Sequence, residues 1–377
     1  MSQRPMIVKL NTQVCERTGC KNCKSRKVKC DERKPACSNC VKRQIDCDFM
    51  DFGSPVSGPS STPGLESACS LNMRDLELLH NYSTSTYRTL SEDLAMREFY
   101  RVSVVQVGLG CDYIMRALLA ISSLHLALHR PHLKSHYQSM AMTQHQLASR
   151  VAIPLMSEVT PESAQKLFLF STLTVYYALA GPRRSVDDGL LLEEATFPDW
   201  VFLSQGPHGL LSQAGAMDQG PLSPIIKHGI MRYELREKSA HLESTAHAQL
   251  SELEVSIMRQ DLPERLRRIY GIAIAELKKS FSQLQHSQTP YELTDAFVWI
   301  YVVAEDLLPL LRAPTQEAVA IFAFFCVLLK ALDGQWWLQG WGQHLISRAY
   351  ALLDDEWRLR IRWPIDEIGW IPLSAFG

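Results

Sequence analysis

Residues 20–47 read Cys20-Lys-Asn-Cys23-Lys24-Ser-Arg26-Lys27-Val-Lys29-Cys30-Asp-Glu-Arg-Lys-Pro35-Ala-Cys37-Ser-Asn-Cys40-Val-Lys42-Arg43-Gln-Ile-Asp-Cys47. The six cysteines form two half-units of one spacing, Cys-x2-Cys-x6-Cys, with six residues between them. A Cys-x2-Cys turn brings two thiolates to one metal ion, and zinc takes four ligands in a tetrahedron at about 2.3 Å. Six thiolates would serve one zinc and leave two sulfurs over, or serve two zincs if two sulfurs bridge. The duplication favours the symmetric two-metal arrangement. So short a segment has almost no apolar core, so metal binding and folding are expected to be one event.

Disulfides are the competing use of clustered cysteines. The first ten residues, Met1 to Leu10, lack the apolar run of a signal peptide. The longest apolar run, Ala318 to Leu329, is twelve residues, short of the ~20 a membrane span needs. An intracellular chain with reduced thiols is therefore expected, where clustered cysteines read as metal ligands. Cys15, Cys69, Cys111 and Cys326 are scattered and read as ordinary thiols.

Working outward, the 377 residues carry a formal charge of −1, which conceals an asymmetry. Residues 1–50 hold 12 Lys/Arg against 5 Asp/Glu, a charge of +7, and the remainder carries −8. A basic head on an acidic body points the head, not the body, at a polyanion. With 46% hydrophobic residues the chain has material for a sizeable core, which excludes a disordered tail or a small disulfide-stapled scaffold. In Asp51–Ser70 twelve of twenty residues are Gly, Pro or Ser and none is Lys or Arg. That composition reads as a flexible linker. The expected organisation is a cluster domain over 15–48, a linker over 49–70 and an all-helical regulatory domain over 71–377.

The helical reading of the body rests on spacing. Leu266, Ile269, Tyr270, Ala273, Leu277, Phe281 and Leu284 recur at steps of three and four behind Pro263, a good first-turn residue. Further helices are expected at Ile114–Leu128, Leu133–Val151, Pro161–Leu179, Tyr291–Leu311, Thr315–Leu332 and His344–Leu353. Thr160-Pro161-Glu162 has the order of an N-cap, a first-turn proline and an early acid. The stretch from Val201 to Gly209 reads as a connection between helices. No repeat of 20–50 residues runs through the body.

Three patterns imitate other chemistry. His125, His129, His132 and His136 stand at helical steps, but Pro131 interrupts them and no HExxH acid is present, so they read as core or cap histidines. Val102 to Tyr113 mimics a strand and a dinucleotide loop, yet Tyr113 stands where the third glycine belongs. Asp354-Asp355-Glu356 reads as a solvated face rather than an acid–base pair. No constellation of acid, base and nucleophile remains, so an enzyme is not expected.

Between Cys23 and Cys30 lie Lys24, Arg26, Lys27 and Lys29; the second half has only Lys42 and Arg43 between its last two cysteines. Short helices opened by each cysteine pair would present one dense basic face and one sparse one. Basic side chains there suit phosphates and the major-groove acceptors of guanine.

From Arg17 through Cys40 and on to Cys47 the sequence resembles the fungal binuclear zinc cluster transcription factors, the Zn(II)2Cys6 family. The six spacings, the Arg26-Lys-x-Lys-Cys30-Asp core and Pro35 carry the resemblance. It implies two zinc ions held by Cys20, Cys23, Cys30, Cys37, Cys40 and Cys47, with Cys20 and Cys37 bridging. It further implies that Lys27, with Arg26, reads bases of a CGG-like triplet in double-stranded DNA. Lys24 and Lys29, and by extension Lys42 and Arg43, would hold phosphates, and Pro35 would turn the loop joining the halves. In the body, Leu76 to Tyr87, Ile114 to Ala127 and Trp363-Pro-Ile-Asp-Glu-Ile-Gly-Trp370 resemble the branch that includes the sterol uptake control regulators. There a helical domain can bind a sterol in an apolar pocket; similar bodies occur in regulators of secondary-metabolite clusters.

The expectation is thus a nuclear, zinc-dependent regulator of RNA polymerase II genes that engages DNA and the transcription machinery. Its targets would be a secondary-metabolite cluster or sterol genes, with a sterol or other apolar ligand in the body. The alternative is a lipid sensor held in the cytoplasm until its ligand is depleted. No run of three heptads follows the linker, so binding as a monomer at one extended site, or as a dimer through the body, is expected.

Overall fold

A computed structural model describes residues 19–33, 37–43, 45, 47, 72–182, 197–203 and 220–372. The chain divides into two compact units, Met1–Leu71 and Asn72–Gly377. The linker over 49–70, together with Cys15, Pro35 and Cys69, lies outside the described residues.

The first unit holds two short helices, α1 (Lys21–Ser25) and α2 (Ser38–Val41), each entered through the first cysteine of its half. Its core is made of sulfur: five of the six cysteines are buried, and Cys30 packs partly buried against them. Gly19 is required by this crowding, because a Cβ there would lie 2.8 Å from the Cβ of Cys30.

The second unit is helical, with no strand among its described residues. Its helices are α3 (Met73–Thr84), α4 (Leu94–Glu98), α5 (Val104–Leu109), α6 (Asp112–His129), α7 (Lys134–Leu155), α8 (Pro161–Ala180), α9 (Asp199–Leu203) and α10 (Ser223–Ser239). They continue with α11 (Ala246–Met258), α12 (Glu264–His286), α13 (Leu293–Arg312), α14 (Gln316–Lys330), α15 (Trp341–Leu352), α16 (Asp355–Arg360) and α17 (Arg362–Ile368). The apolar run noted above forms the centre: every residue from Ala318 to Leu329 of α14 is buried. A helix apolar on all sides needs partners on all sides. α12, α13, α15, α16 and α17 supply them. α15 comes so close that a Cβ on Gly342 would meet the Cys326 carbonyl at 3.0 Å. α6 pairs with α7 and also packs on α3 and α8.

Thr160 caps α8 as expected, accepting from the Ser163 N–H while Ser163 returns a bond to the cap. Elsewhere the details differ from the sequence expectation. Pro263 is the N-cap of α12, not its first turn. α7 runs on through Pro154 to Leu155, although a proline there has no N–H to give the carbonyl four residues back. Of the expected connection from Val201 to Gly209, residues 201–203 lie in α9, where Trp200 is buried against Trp341 and Phe297 at ring separations of 5.3 and 5.7 Å; residues 204–209 lie outside the described residues. Asp354 caps α16 by accepting from the Trp357 N–H. The strand-like Val102–Tyr113 is helical: a π-turn over Phe99–Ser103 leads into α5, and α6 starts at Asp112.

The four histidines do not converge. His125 is buried, its Nδ1 2.9 Å from Thr86 Oγ1 and its ring stacked on Trp336. Burial, with the nearby His129, pushes its pKa down to about 4, so it is neutral at physiological pH. His129 touches it at 3.0 Å, while His132 and His136 are exposed.

Candidate metal centre and DNA-facing surface

The two halves of the cluster share two hydrogen bonds at a seventeen-residue offset. The Cys20 N–H points to Cys30 Sγ at 3.5 Å and the Cys37 N–H to Cys47 Sγ at 3.4 Å. Val28 N–H donates to the Cys23 carbonyl at 3.1 Å, and Ile45 N–H to the Cys40 carbonyl at 3.2 Å. Within each half the third cysteine therefore closes over its own short helix by the same backbone bonds.

The sulfurs fall into two groups of four: Cys20, Cys23, Cys30 and Cys37; and Cys20, Cys37, Cys40 and Cys47. Within each, the sulfurs lie within 4.8 Å of one another, and Cys20 and Cys37 are common to both. Four sulfurs around zinc at about 2.3 Å define a tetrahedron with edges of about 3.8 Å. Cys20–Cys37, Cys23–Cys37 and Cys20–Cys40 stand at 3.6, 3.7 and 3.8 Å. The donor set fits zinc in number, softness and spacing.

Electrostatics make the same point. Burial pushes the thiols of Cys20 and Cys23 up and that of Cys40 up to about 12, whereas the Cys20 N–H holds Cys30 down. Six adjoining thiols do not ionise together without a cation, and a bound metal deprotonates its thiols outright. Zinc held by these six thiolates would be taken up with release of protons and would link the two halves.

The halves are also sewn together by side chains. Asp31 accepts from the Ser38 N–H at 3.0 Å and its hydroxyl at 2.5 Å, and the Asn39 amide donates to the Lys29 carbonyl at 2.9 Å. Sequence reading singled out neither Asp31 nor Asn39 for this role; Asp immediately after Cys30 was the available signal, since Asp caps helices.

Lys24, Arg26, Lys27, Lys29, Lys42 and Arg43 are all exposed. The scaffold is symmetric and its charge is not. At the seventeen-residue offset, Lys24, Lys27 and Lys29 of the first half correspond to Val41, Gln44 and Asp46 of the second; only Arg26 has a basic counterpart, Arg43. Lys27 also holds a left-handed backbone, φ 55°, where the chain leaves α1. That conformation is uncommon outside glycine and sets the direction in which the side chain departs.

The second unit contains a cavity of about 430 Å³ bounded by α4, α8, α10, α13 and the turn before α15, with Met96, Phe168, Val175, Ile226, Val298 and Trp337 in its lining. Its size and apolar character are those of a small-molecule site. No helix among the described residues is long and apolar enough to cross a membrane.

A domain in which six cysteines form two groups of four sulfurs with two members in common, and whose exposed Lys and Arg concentrate in the first half, has the make-up of a binuclear zinc cluster. Residues 18–53 match the fungal Zn(2)-Cys(6) binuclear cluster domain. A protein of Gibberella zeae described as a Zn(2)-C6 fungal-type transcription factor is 24% identical over 425 residues, covering 93% of this chain and 85% of the relative. The chain thus carries an N-terminal fungal-type Zn2Cys6 cluster domain, a DNA-binding module with two zinc sites.

Proposed function

We propose that the cluster reads DNA through its first half alone. The carrying observation is the contrast between a duplicated backbone and unduplicated charge. In this reading Cys20 and Cys37 bridge the zincs, Cys23 and Cys30 complete one tetrahedron, and Cys40 and Cys47 complete the other. Lys27, with Arg26, contacts the bases of a CGG-like triplet in the major groove. Lys24, Lys29, Lys42 and Arg43 hold phosphates and give salt-dependent affinity. One cluster covers little DNA, so useful specificity comes from an extended site or from a dimer made through the body.

The protein acts in the nucleus on RNA polymerase II genes, either those of a secondary-metabolite cluster or sterol genes. The cavity favours a second layer, in which a sterol or another apolar ligand in the body governs activity or nuclear entry. Chromatin occupancy of the tagged protein, with and without sterol depletion, tests the choice. Peaks at sterol-biosynthesis promoters that grow on depletion support the sterol reading; sterol-independent peaks confined to one neighbouring gene cluster replace it with a pathway-specific regulator.

A further inference from the structure

Helix α10 is built inside out. Its buried residues are Ser223, His228, Arg232 and Arg236, all polar, while Ile230, Met231 and Tyr233 are 55, 42 and 44% exposed. His228, Arg232 and Arg236 follow at steps of four and so share one face. Each meets an acid of the body. His228 Nε2 lies 2.9 Å from Glu292 Oε2. The Arg232 guanidinium forks onto both oxygens of Asp295 and also donates to Thr289 Oγ1 and the Pro290 carbonyl. Arg236 donates to Glu276 Oε2 at 2.6 Å, to its carbonyl and to Ser280. The other flank of the helix, with Ile226, Ile230 and Tyr233, lines the cavity, where Val302 of α13 is likewise half exposed.

Glu292 joins this ladder to the opposite rim. Its Oε1 accepts from Ser91 Oγ and from the N–H groups of Glu92 and Asp93, and Ser91 and Glu92 also line the cavity. The charges around the cavity are one-sided. Among its described lining residues are Glu92 and Glu292 but no Lys or Arg, and the one basic group, His228, is engaged by Glu292. A carboxylate or phosphate entering there would meet like charge without a counter-ion.

Resting on the reading of the body as a ligand domain, we propose that the cavity admits an uncharged, mostly apolar molecule, and that α10 is the wall that swings to admit it. A charged seam suits a moving wall. When an apolar seam opens, all its hydrophobic stabilisation is lost, whereas a buried ion pair that separates recovers hydration of comparable size. The same pairs make reclosure specific, since any other register leaves an arginine unpaired. The half-exposed Ile230, Tyr233 and Val302 are the surface such a molecule would cover.

The test uses the full-length, zinc-loaded protein, with hydrogen exchange and two fluorescent probes of one chain, cis-parinaryl alcohol and cis-parinaric acid, at pH 7.5. Without probe, amides of 223–239 are expected to exchange at least tenfold faster than those of 264–286 and 293–312. Exchange as slow as in those neighbours would overturn the moving wall. The alcohol is expected to bind and to slow exchange in 223–239 about tenfold, and the acid to bind at least tenfold more weakly. Equal binding of the acid would overturn the charge rule. If the alcohol fails to bind a sample with two zincs and normal DNA affinity, the ligand reading falls with the proposal and the DNA reading stands.

Discussion

Lys27 shows how one residue can combine a chemical and a conformational role. Its left-handed φ of 55° carries a strain that lysine and alanine share through their Cβ, so Lys27→Ala removes the amine and leaves the backbone cost unchanged, whereas glycine would relax it. Lys27→Ala is the cleaner test. We expect it to retain two zincs per chain and to lose about 1–3 kcal/mol of base discrimination, measured by footprinting on CGG-containing duplexes alongside zinc analysis; an unchanged footprint would reassign base reading to Arg26 or Lys29. The cysteines give a matching contrast. Cys20 and Cys37 belong to both sulfur groups and Cys23 and Cys47 to one each. Cys20→Ser or Cys37→Ser should therefore release both metals, and metal analysis that finds one tightly held zinc would rule out bridging at that position. The spacing made the six ligands legible; it did not show that Asp31 and Asn39 tie the halves together, because those bonds depend on where the chain returns.

At the scale of elements, α14 and α10 are opposites. α14 was readable from its unbroken apolar run, and burial of all twelve residues from Ala318 to Leu329 follows from it. α10 was not readable, because its periodic buried residues are two arginines and a histidine, and an apolar-stripe search passes over them. Only the acids of α12 and α13, some forty to sixty-odd residues away, make that face a buried one. Buried pairs contribute little net stability, but removing one partner is costly because it leaves the other charge buried and uncompensated. Arg232→Ala should accordingly lower the unfolding free energy of the body by about 3–5 kcal/mol. Arg232→Lys should recover only part of the loss, since an ammonium cannot fork onto both oxygens of Asp295. Denaturant titration followed by tryptophan fluorescence measures both; a loss below about 1 kcal/mol would mean that water replaces the pair.

For the whole molecule, the two units rest on different forces. The cluster has a sulfur core and is expected to fold with its metal, whereas the second unit carries its own extensive apolar core. Chelation should abolish DNA binding while leaving the thermal transition of the helical unit within about 2 °C, a shift worth roughly 1 kcal/mol in a unit of this size. Circular dichroism and calorimetry before and after chelation, with zinc added back, would show it. A body that melts on chelation would mean that the cluster supports it.

Sequence alone determined the metal chemistry, the basic head and the helical class, because each is written in local spacing: thiolates at fixed intervals, charge between them, apolar residues at helical steps. Tertiary structure alone decided that Asp31 and Asn39 tie the two halves together, that Lys27 leaves its helix through a left-handed turn, and that a cavity opens beside a helix turned inside out. Those features come from segments far apart in the chain meeting in space, where a distant carboxylate decides whether an arginine faces water or the core.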